Sequence, residues 1–393
     1  MRILYVHSTL EPPPLDLQRN RFFLLSAELE GDVLHPIWFE TPAEVEAVFG
    51  PGSYPIYTVG KFRYHWLLSS NQRSLGQRLR TFGQYIRKGL EVHRERKFEC
   101  IVAYSHMTTG LLAGVLKILT RAKLVIEIVT SPHLVYITER SDPGWREWGM
   151  RIYSDICLHL SVFLADRMHF LFPDQLFRYP LLRKARNSVF SEFVPVSSVD
   201  RITPTEDQEQ YVLLVGAPWY LKGVDIMIEA FNLLAADFPK VQLKILGHFP
   251  DQERLRTLMG GASQIEILKA RPHPEALQII GHAMVLVLPS RCEGGPRALI
   301  EGMAAGIPVI GSKVGGIPCM VHDGENGFVV PVGDATALSA KLRILLGDEA
   351  LRRRMGDCGY ELAHGKLNEK NYVAEFTQMI RATLEGKAAG IDS

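Results

Sequence analysis

The stretch "SRCEGGPRALIEGMAAGIPVIGSKVGG", residues 290–316, decides how this chain is read. Two glutamates, Glu293 and Glu301, are separated by seven residues that begin Gly-Gly-Pro. The apolar run "MVLVLPS" leads into the first of them, and a second run, "IPVIGS", follows the other. The first run ends as a strand ends, so Ser290 to Gly295 form a loop at its carboxyl edge. "PRALIEGMAAG" then has helix character, with Pro296 in the first turn, where its missing N–H costs little. Gly294 and Gly295 let the backbone turn sharply and come close to a ligand. The N–H groups over residues 295–298, Arg297 and Ala298 included, point outward with the helix dipole behind them, which suits a diphosphate.

The two carboxylates are roughly 12 Å apart along such a path, at about 1.5 Å per residue. That is the span of a nucleotide-sugar, with its ribose at Glu301, its diphosphate at the helix start and its sugar hydroxyls at Glu293. The alternative is a solvated pair on an exposed helix end. The intervening Gly, Gly, Pro and apolar residues do not make a charged face.

At 393 residues the chain suits two domains rather than one core. A hydrophobic content of 47% and a charged content of 22% are those of a globular protein. The net charge of +1 excludes a globally nucleic-acid-like balance, and no binding motif appears. Five widely spaced cysteines without a CxxC pair argue against a disulfide framework or zinc site and for a reducing compartment. The N-terminus lacks a signal-peptide pattern and no apolar run approaches 18 residues, so a cytoplasmic location is expected.

Apolar runs alternate with helical patterns along the whole chain, the signature of parallel α/β architecture. "RILYVHS", "VLHPIWF", "CIVAYS", "KLVIEIVTS", "RMHFLF" and "FVPV" read as strands of a first domain, residues 1–200. The polar stretch 197–210 reads as a linker. "YVLLVGA", "VQLKILG", "QIEILKA", "MVLVLPS", "IPVIGS" and "GFVVPV" read as strands of a second domain, residues 201–370. A last helix within 371–393 is expected to pack back toward the first domain. Ligands of such sheets bind outside the carboxyl ends of the strands.

"LLVGAPWYLKGVDIMIEAF", "LPSRCEGGPRALIEGMAAGIPVIGSKVGGIPCMVHDGENGFVVPVGD" and "ATALSAKLRILLGDEALRRRM" resemble retaining glycosyltransferases of family 4. They cover most of residues 211–356, and the middle stretch is highly specific. The resemblance implies a GT-B fold, two Rossmann-like doubly wound domains facing a central cleft, with the N-terminal domain on the acceptor side. It implies that Glu301 binds the ribose hydroxyls, that Glu293 contacts the donor sugar near the reacting carbon, and that Lys222, before Gly223, holds the diphosphate. A cation at a helix start is otherwise disfavoured, and an anionic ligand removes the difficulty. Retention, by front-face attack in which the departing phosphate takes the acceptor's proton, is also carried over. Base recognition is implied near Ala270 and Arg271.

The chain departs from the family at several points. The arginine that usually follows the "VG" glycine is Ala217, followed by Pro218 and Trp219; Arg297 and Arg19 are the substitutes considered. The first βα loop, "TLEPPPLDLQRNR", has no glycine. Val129 stands where a histidine often ends the corresponding strand, and His133, four residues on, is the candidate to orient sugar or acceptor. A loop histidine without special role is its alternative, as for His106.

No Asp-x-Asp motif and no zinc spacing occur, so no metal and no cofactor is expected beyond the nucleotide-sugar substrate. Residues 61–98 hold ten Lys/Arg against Glu91 and Glu95, with Leu75, Leu79, Phe82, Ile86 and Leu90 at helical spacing. Contact with an anionic membrane carrying a lipid-linked acceptor is one reading, with Tyr64 and Trp66 exposed nearby. The other packs the stripe on the first sheet. The expected activity is a metal-independent, retaining transfer from a nucleotide-sugar to a glycan or lipid-linked hydroxyl in polysaccharide or glycolipid biosynthesis. The rivals are a non-catalytic binding module of the same fold, and an epimerase or phosphorylase on the same scaffold.

Overall fold

The computed structural model describes residues 1–7, 13, 15–37, 41–68, 75–129, 144–173, 175, 186–199, 201, 209–249, 252–260 and 262–387. The chain divides into two units. One comprises Met1–His133, Gly149–Phe190 and Lys370–Ser393, and the other Leu134–Trp148 and Ser191–Glu369.

The first unit is built on β1 (Arg2–Val6), β2 (Glu30–Ile37), β3 (Ile56–Val59), β4 (Phe62–Leu68), β5 (Cys100–Tyr104), β6 (Lys123–Ile128), β7 (Arg167–Phe170) and β8 (Asn187–Val189). Their order is β3-β4-β2-β1-β5-β6-β7-β8, all parallel except the β3–β4 hairpin. The helices are α1 (Arg21–Leu25), α2 (Pro42–Phe49), α3 (Leu75–Glu95), α4 (Thr108–Thr120) and α5 (Trp145–Leu164). Strands buried on both faces read as continuous apolar runs, which is why β1, β5 and β6 are visible in the sequence. Ile101, Leu124, Ile126 and Met168 pack beneath Tyr85 and Val92 of α3 and Leu112 and Leu116 of α4. Each such side chain contributes about 1.5–3 kcal/mol on burial.

The apolar stripe of α3 is therefore internal: Phe82, Ile86 and Leu90 pack on the sheet. Leu75 and Leu79 have side chains outside the described set. The expectation that Tyr64 and Trp66 are exposed is wrong. Both lie on β4 and are buried, with Tyr64 Oη donating to Asn20 Oδ1 at 3.2 Å and Trp66 Nε1 to the Ser53 carbonyl at 2.8 Å. "FVPV" is not a strand either. Val194 makes an isolated bridge and residues Val196–Ser198 form a 3-10 turn after Pro195, because proline cannot donate to a ladder.

Two buried charges tie this unit together. Glu127 on β6 accepts from the Arg21 guanidinium at 2.8 and 3.1 Å and from Tyr5 Oη, and Arg21 also meets Tyr372 Oη. Arg167 on β7 donates to Thr383 Oγ1 at 2.9 Å and to the Asn187 and Lys387 carbonyls.

The second unit has β9 (Tyr211–Val215), β10 (Gln242–Gly247), β11 (Ile265–Lys269), β12 (Val285–Leu288), β13 (Val309–Ser312) and β14 (Gly327–Val330). Their parallel order is β11-β10-β9-β12-β13-β14. The helices are α6 (Val224–Asn232), α7 (Gln252–Met259), α8 (His273–Gly281), α9 (Arg297–Ala304), α10 (Ile317–Met320), α11 (Ala335–Gly347) and α12 (Glu349–Gly365), and α13 (Glu369–Leu384) follows. All six strands match apolar runs of the sequence. The strand order reverses between β9 and β12. The crevice outside their carboxyl ends is where such a sheet binds ligands. Two parallel-sheet, Rossmann-like units make this the α/β GT-B fold expected from the sequence.

Candidate functional site at the switch point of the second sheet

Beyond Val215 the chain passes Gly216, at φ 129°, and a cis Ala217–Pro218 peptide. The loop is anchored by Trp219, buried in the core, and by hydrogen bonds from Lys222 N to the Pro218 carbonyl (3.1 Å) and Val224 N to the Trp219 carbonyl (2.9 Å). Gly223 precedes α6 at φ 68°. A Cβ there would stand 2.1 Å from the Pro289 carbonyl oxygen, so only glycine lets this loop lie against the end of β12.

The loop after β12 is braced to it. Arg291 N donates to the Leu221 carbonyl at 2.8 Å. Its guanidinium grips both oxygens of Asp225 at 2.8 and 2.7 Å, donates to the Tyr220 carbonyl and covers the Tyr220 ring. Burial alone would lower the Arg291 pKa; the hydrogen bonds to Asp225 outweigh it and raise it. The loop after β13 closes from the other side. Gly316 N donates to the Gly294 carbonyl at 3.0 Å, and Ser312 Oγ to the Ser290 carbonyl at 2.5 Å.

Three loops held this way bring Lys222 Nζ to 2.7 Å from Glu293 Oε2, with Ser290 Oγ donating to the same oxygen at 3.0 Å. Glu293 is 9% exposed and Glu301 8%. Glu301 lies on the second turn of α9, where His273 Nε2 meets its Oε1 at 2.9 Å. Pro296 is the N-cap of α9 and no side chain caps the first turn. Since proline has no N–H, the donors at this helix start belong to Gly295, Arg297 and Ala298. Both carboxylates thus have a cation or imidazole partner, and the uncapped helix start lies between them in sequence.

The remaining candidates divide. Arg297 stands over the Phe193 ring, 5.8 Å to the centroid, and its Nη2 is buried without a hydrogen-bond partner among the described residues. Arg271 is exposed between β11 and α8. Ala217 is exposed and supplies no cation. Arg19 belongs to the first unit, at the end of a 3-10 turn. His133 lies outside the described residues. His106 is buried in the first unit, its Nε2 2.8 Å from Ser154 Oγ, and burial lowers its pKa to about 4. Among the described residues no group of three or more His, Cys, Asp or Glu could hold a metal ion.

His273, Ser290 and the Arg291–Asp225 brace were missed from the sequence. A lone histidine carries no signal of its own, but "RPHPEA" marks a helix start after β11. That places His273 at the carboxyl edge of the sheet.

Residues 198–362 match the family model described as glycosyl transferases group 1. The amylovoran biosynthesis glycosyltransferase AmsK of Erwinia amylovora is 32% identical over 138 residues, 33% of this chain and 34% of that protein. The matched stretches span less than half the length of the curated relatives. Among solved structures, sucrose-phosphate synthase from Thermosynechococcus elongatus aligns with a TM-score of 0.78 at 18% identity, covering 98% of this chain and 100% of that one. Anabaena HepE in complex with UDP-glucose aligns with a TM-score of 0.67 at 16% identity, covering 98% and 99%. At these identities the structures establish the fold. On a chain of GT-B fold, residues 198–362 therefore form a segment of the glycosyl transferases group 1 type.

Proposed function

We propose that this protein is a retaining glycosyltransferase that moves a sugar from a nucleotide-sugar to a hydroxyl of a glycan or lipid-linked acceptor, in polysaccharide or glycolipid biosynthesis. The observation that carries the reading is the Lys222–Glu293 ion pair at the switch point, eight residues before the Glu301–His273 pair.

In this reading the ribose hydroxyls hydrogen-bond to Glu301, which His273 orients. The diphosphate takes Lys222 Nζ and the N–H groups of Gly295, Arg297 and Ala298, with Arg297, and Arg271 at the base, supplying the cations that Ala217 does not. Glu293, released from Lys222, accepts from the donor-sugar hydroxyls. The acceptor oxygen attacks the anomeric carbon on the face that the phosphate leaves. The bond to phosphate breaks with its electron pair going to the phosphate, which takes the acceptor's proton; a glycoside and a nucleoside diphosphate result. Fixed positive charge at the leaving group is the main contribution of the protein. No residue acts as a strong base. The absence of an Asp-x-Asp motif supports a metal-independent transfer. Arg19 and His133 are assigned to the acceptor side. We place the protein at the cytoplasmic face of a membrane, where lipid-linked acceptors and nucleotide-sugars meet.

Calorimetry with UDP-, GDP- and ADP-sugars on wild type and Glu301→Ala tests the reading. Binding by wild type and its loss in the variant are expected. Wild-type silence toward every donor would overturn it in favour of a non-catalytic module, which Ala217 and the glycine-free first βα loop favour.

A further inference from the structure

The outer helix layer of the first unit carries a surface that the nucleotide reading does not use. α5 is inverted in its amphipathicity. Its inner face holds Ser154, Cys157, Leu158 and Ser161, all buried. Close packing explains the small ones. A Cβ on Gly110 of α4 would lie 2.9 Å from Ser161 Oγ, and one on Gly114 2.5 Å from Leu164 Cδ1. Lys117 Nζ donates to the Leu164 carbonyl at 2.7 Å, and Thr108 Oγ1 lies 3.1 Å from Tyr153 Oη, so the two helices are held side by side. The large side chains are left outside. Ile152, Ile156 and Leu160 are exposed, and Phe163 is 92% exposed. Ile118 and Leu119 of α4, just beyond Lys117, are exposed too and extend the patch at its Phe163 end.

The row on α5 has a two-fold pattern. Counted from Ile156, Ile152 lies four residues back and Leu160 four on, while Gly149 lies seven back and Phe163 seven on. At about 3.6 residues per turn all four stay within about 40° of Ile156. Ile152 and Leu160 lean to opposite sides of it, and so do Gly149 and Phe163. A second α5 running antiparallel, with the symmetry axis at Ile156, therefore meets the first in register. Ile156 faces the partner's Ile156, and Ile152 passes beside the partner's Leu160. Phe163 enters the space at the partner's Gly149. That space is open, since a Cβ on Gly149 would meet nothing within 4 Å.

One flank of the row adds charge complementarity. Asp155 is in no ion pair among the described residues. His159 is exposed, and its Nδ1 is bonded to the Asp155 carbonyl at 2.7 Å, which leaves Nε2 for another group. In the antiparallel pair both residues fall on the same flank. His159 comes within two residues of the level of the partner's Asp155, about 3 Å along the axis. An imidazole thus stands against a carboxylate on each side of the symmetry axis.

We infer that the solvent face of α5 is the two-fold interface between two copies of this chain. An exposed apolar row of this extent marks an interaction site. An isologous interface has to be complementary to itself, and this row sets its one large knob against its one open position. A lipid surface requires no such symmetry, and the carboxylate of Asp155 beside the row opposes an anionic one. The inference stands apart from the catalytic one, since it uses no residue of the nucleotide site.

The test is analytical ultracentrifugation of the full chain, without vesicles or donor. Wild type should sediment as a dimer. Ile156→Glu with Phe163→Glu should raise the dimer Kd about a hundredfold. Its far-UV circular dichroism and UDP-sugar calorimetry should match wild type, because both side chains are exposed on the single chain. Register is read by crosslinking in a Cys319→Ser, Cys358→Ser background, which removes the exposed thiols. Ile156→Cys should give a disulfide-linked dimer under mild oxidation. Ile152→Cys alone should not, whereas Ile152→Cys with Leu160→Cys should. A monomeric wild type overturns the inference and leaves the face to a lipid surface or another protein. So does a dimer that the Ile156/Phe163 variant keeps, or crosslinking at residue 152 alone but not at 156.

Discussion

The Cβ that Gly315 lacks would lie 1.9 Å from the carbonyl oxygen of Glu293. Gly315 also sits at φ 57°, so its side-chain-free, left-handed backbone is what allows the loop after β13 to press on the residue that pairs with Lys222. Gly315→Ala should cost about 1–3 kcal/mol from strain alone and weaken donor binding by more than tenfold through displacement of Glu293. Calorimetry of unfolding and of donor binding checks both; wild-type affinity in the variant would mean that the loop does not position the carboxylate.

Lys222 and Glu301 should separate in kinetics. Lys222→Ala removes charge that matters most as the leaving group departs, so kcat should fall by about 10²–10³ with a smaller change in KM. Glu301→Gln should raise KM for the donor with kcat less affected. A steady-state comparison on the same acceptor decides; equal losses of kcat in both would contradict the assigned roles.

His273→Ala should weaken nucleotide binding by about tenfold, the cost of roughly 1.4 kcal/mol for one charge-assisted hydrogen bond. The fold should be unaffected, because His273 only begins α8. Nucleoside diphosphate titration by calorimetry reads this directly, and an unchanged Kd would remove His273 from the site.

His106 makes the first unit sensitive to acid. Burial lowers its pKa to about 4, below the unfolded value of about 6.5. The folded state therefore holds the neutral ring while the unfolded chain takes up a proton. The stability this gives is complete above pH 6.5 and is lost as pH falls toward 4, about 3 kcal/mol in all. Denaturant melts from pH 7 to 4 should show the slope, and His106→Gln should flatten it. Persistence of the full slope in the variant would assign it to a group other than His106, and not to Asp32. That carboxyl is pushed up by burial but held low on balance by His65 and Arg63, so its contribution fails at lower pH still.

Arg167→Met should destabilise the first unit by about 3 kcal/mol, since Thr383 Oγ1 and the Asn187 and Lys387 carbonyls lose their buried donor. Hydrogen exchange should show α13 opening first. Uniform loosening would argue that the arginine does not staple that helix.

How far the sequence could be read follows from how each residue is buried. "MVLVLPS" announces β12 because all four residues from Val285 to Leu288 are inside. "FRYHWLL" hid β4, since Arg63 and His65 look like surface residues; both in fact bind the buried Asp32, at 2.7 and 2.8 Å. β8 has only Asn187, Ser188 and Val189 and no apolar run to reveal it. In the candidate site, Glu293 and Glu301 announced themselves through the glycines and spacing around them, and Lys222 only through the family resemblance. Their partner His273 did not, because a hydrogen bond between residues 28 apart leaves no local pattern, and Ser290 reads only as an ordinary loop serine.

The arginines of the first unit also set an order of assembly. Tyr372, which meets Arg21, lies 351 residues farther along the chain, and Thr383 lies 216 beyond Arg167. During synthesis the whole of residues 191–369 emerges before either partner does. The second sheet can mature on the ribosome while the first waits with two guanidinium groups short of their C-terminal partners. This protein is thus completed from the middle outward, and truncation just after α12 would leave the earlier-made unit, not the later one, unfinished.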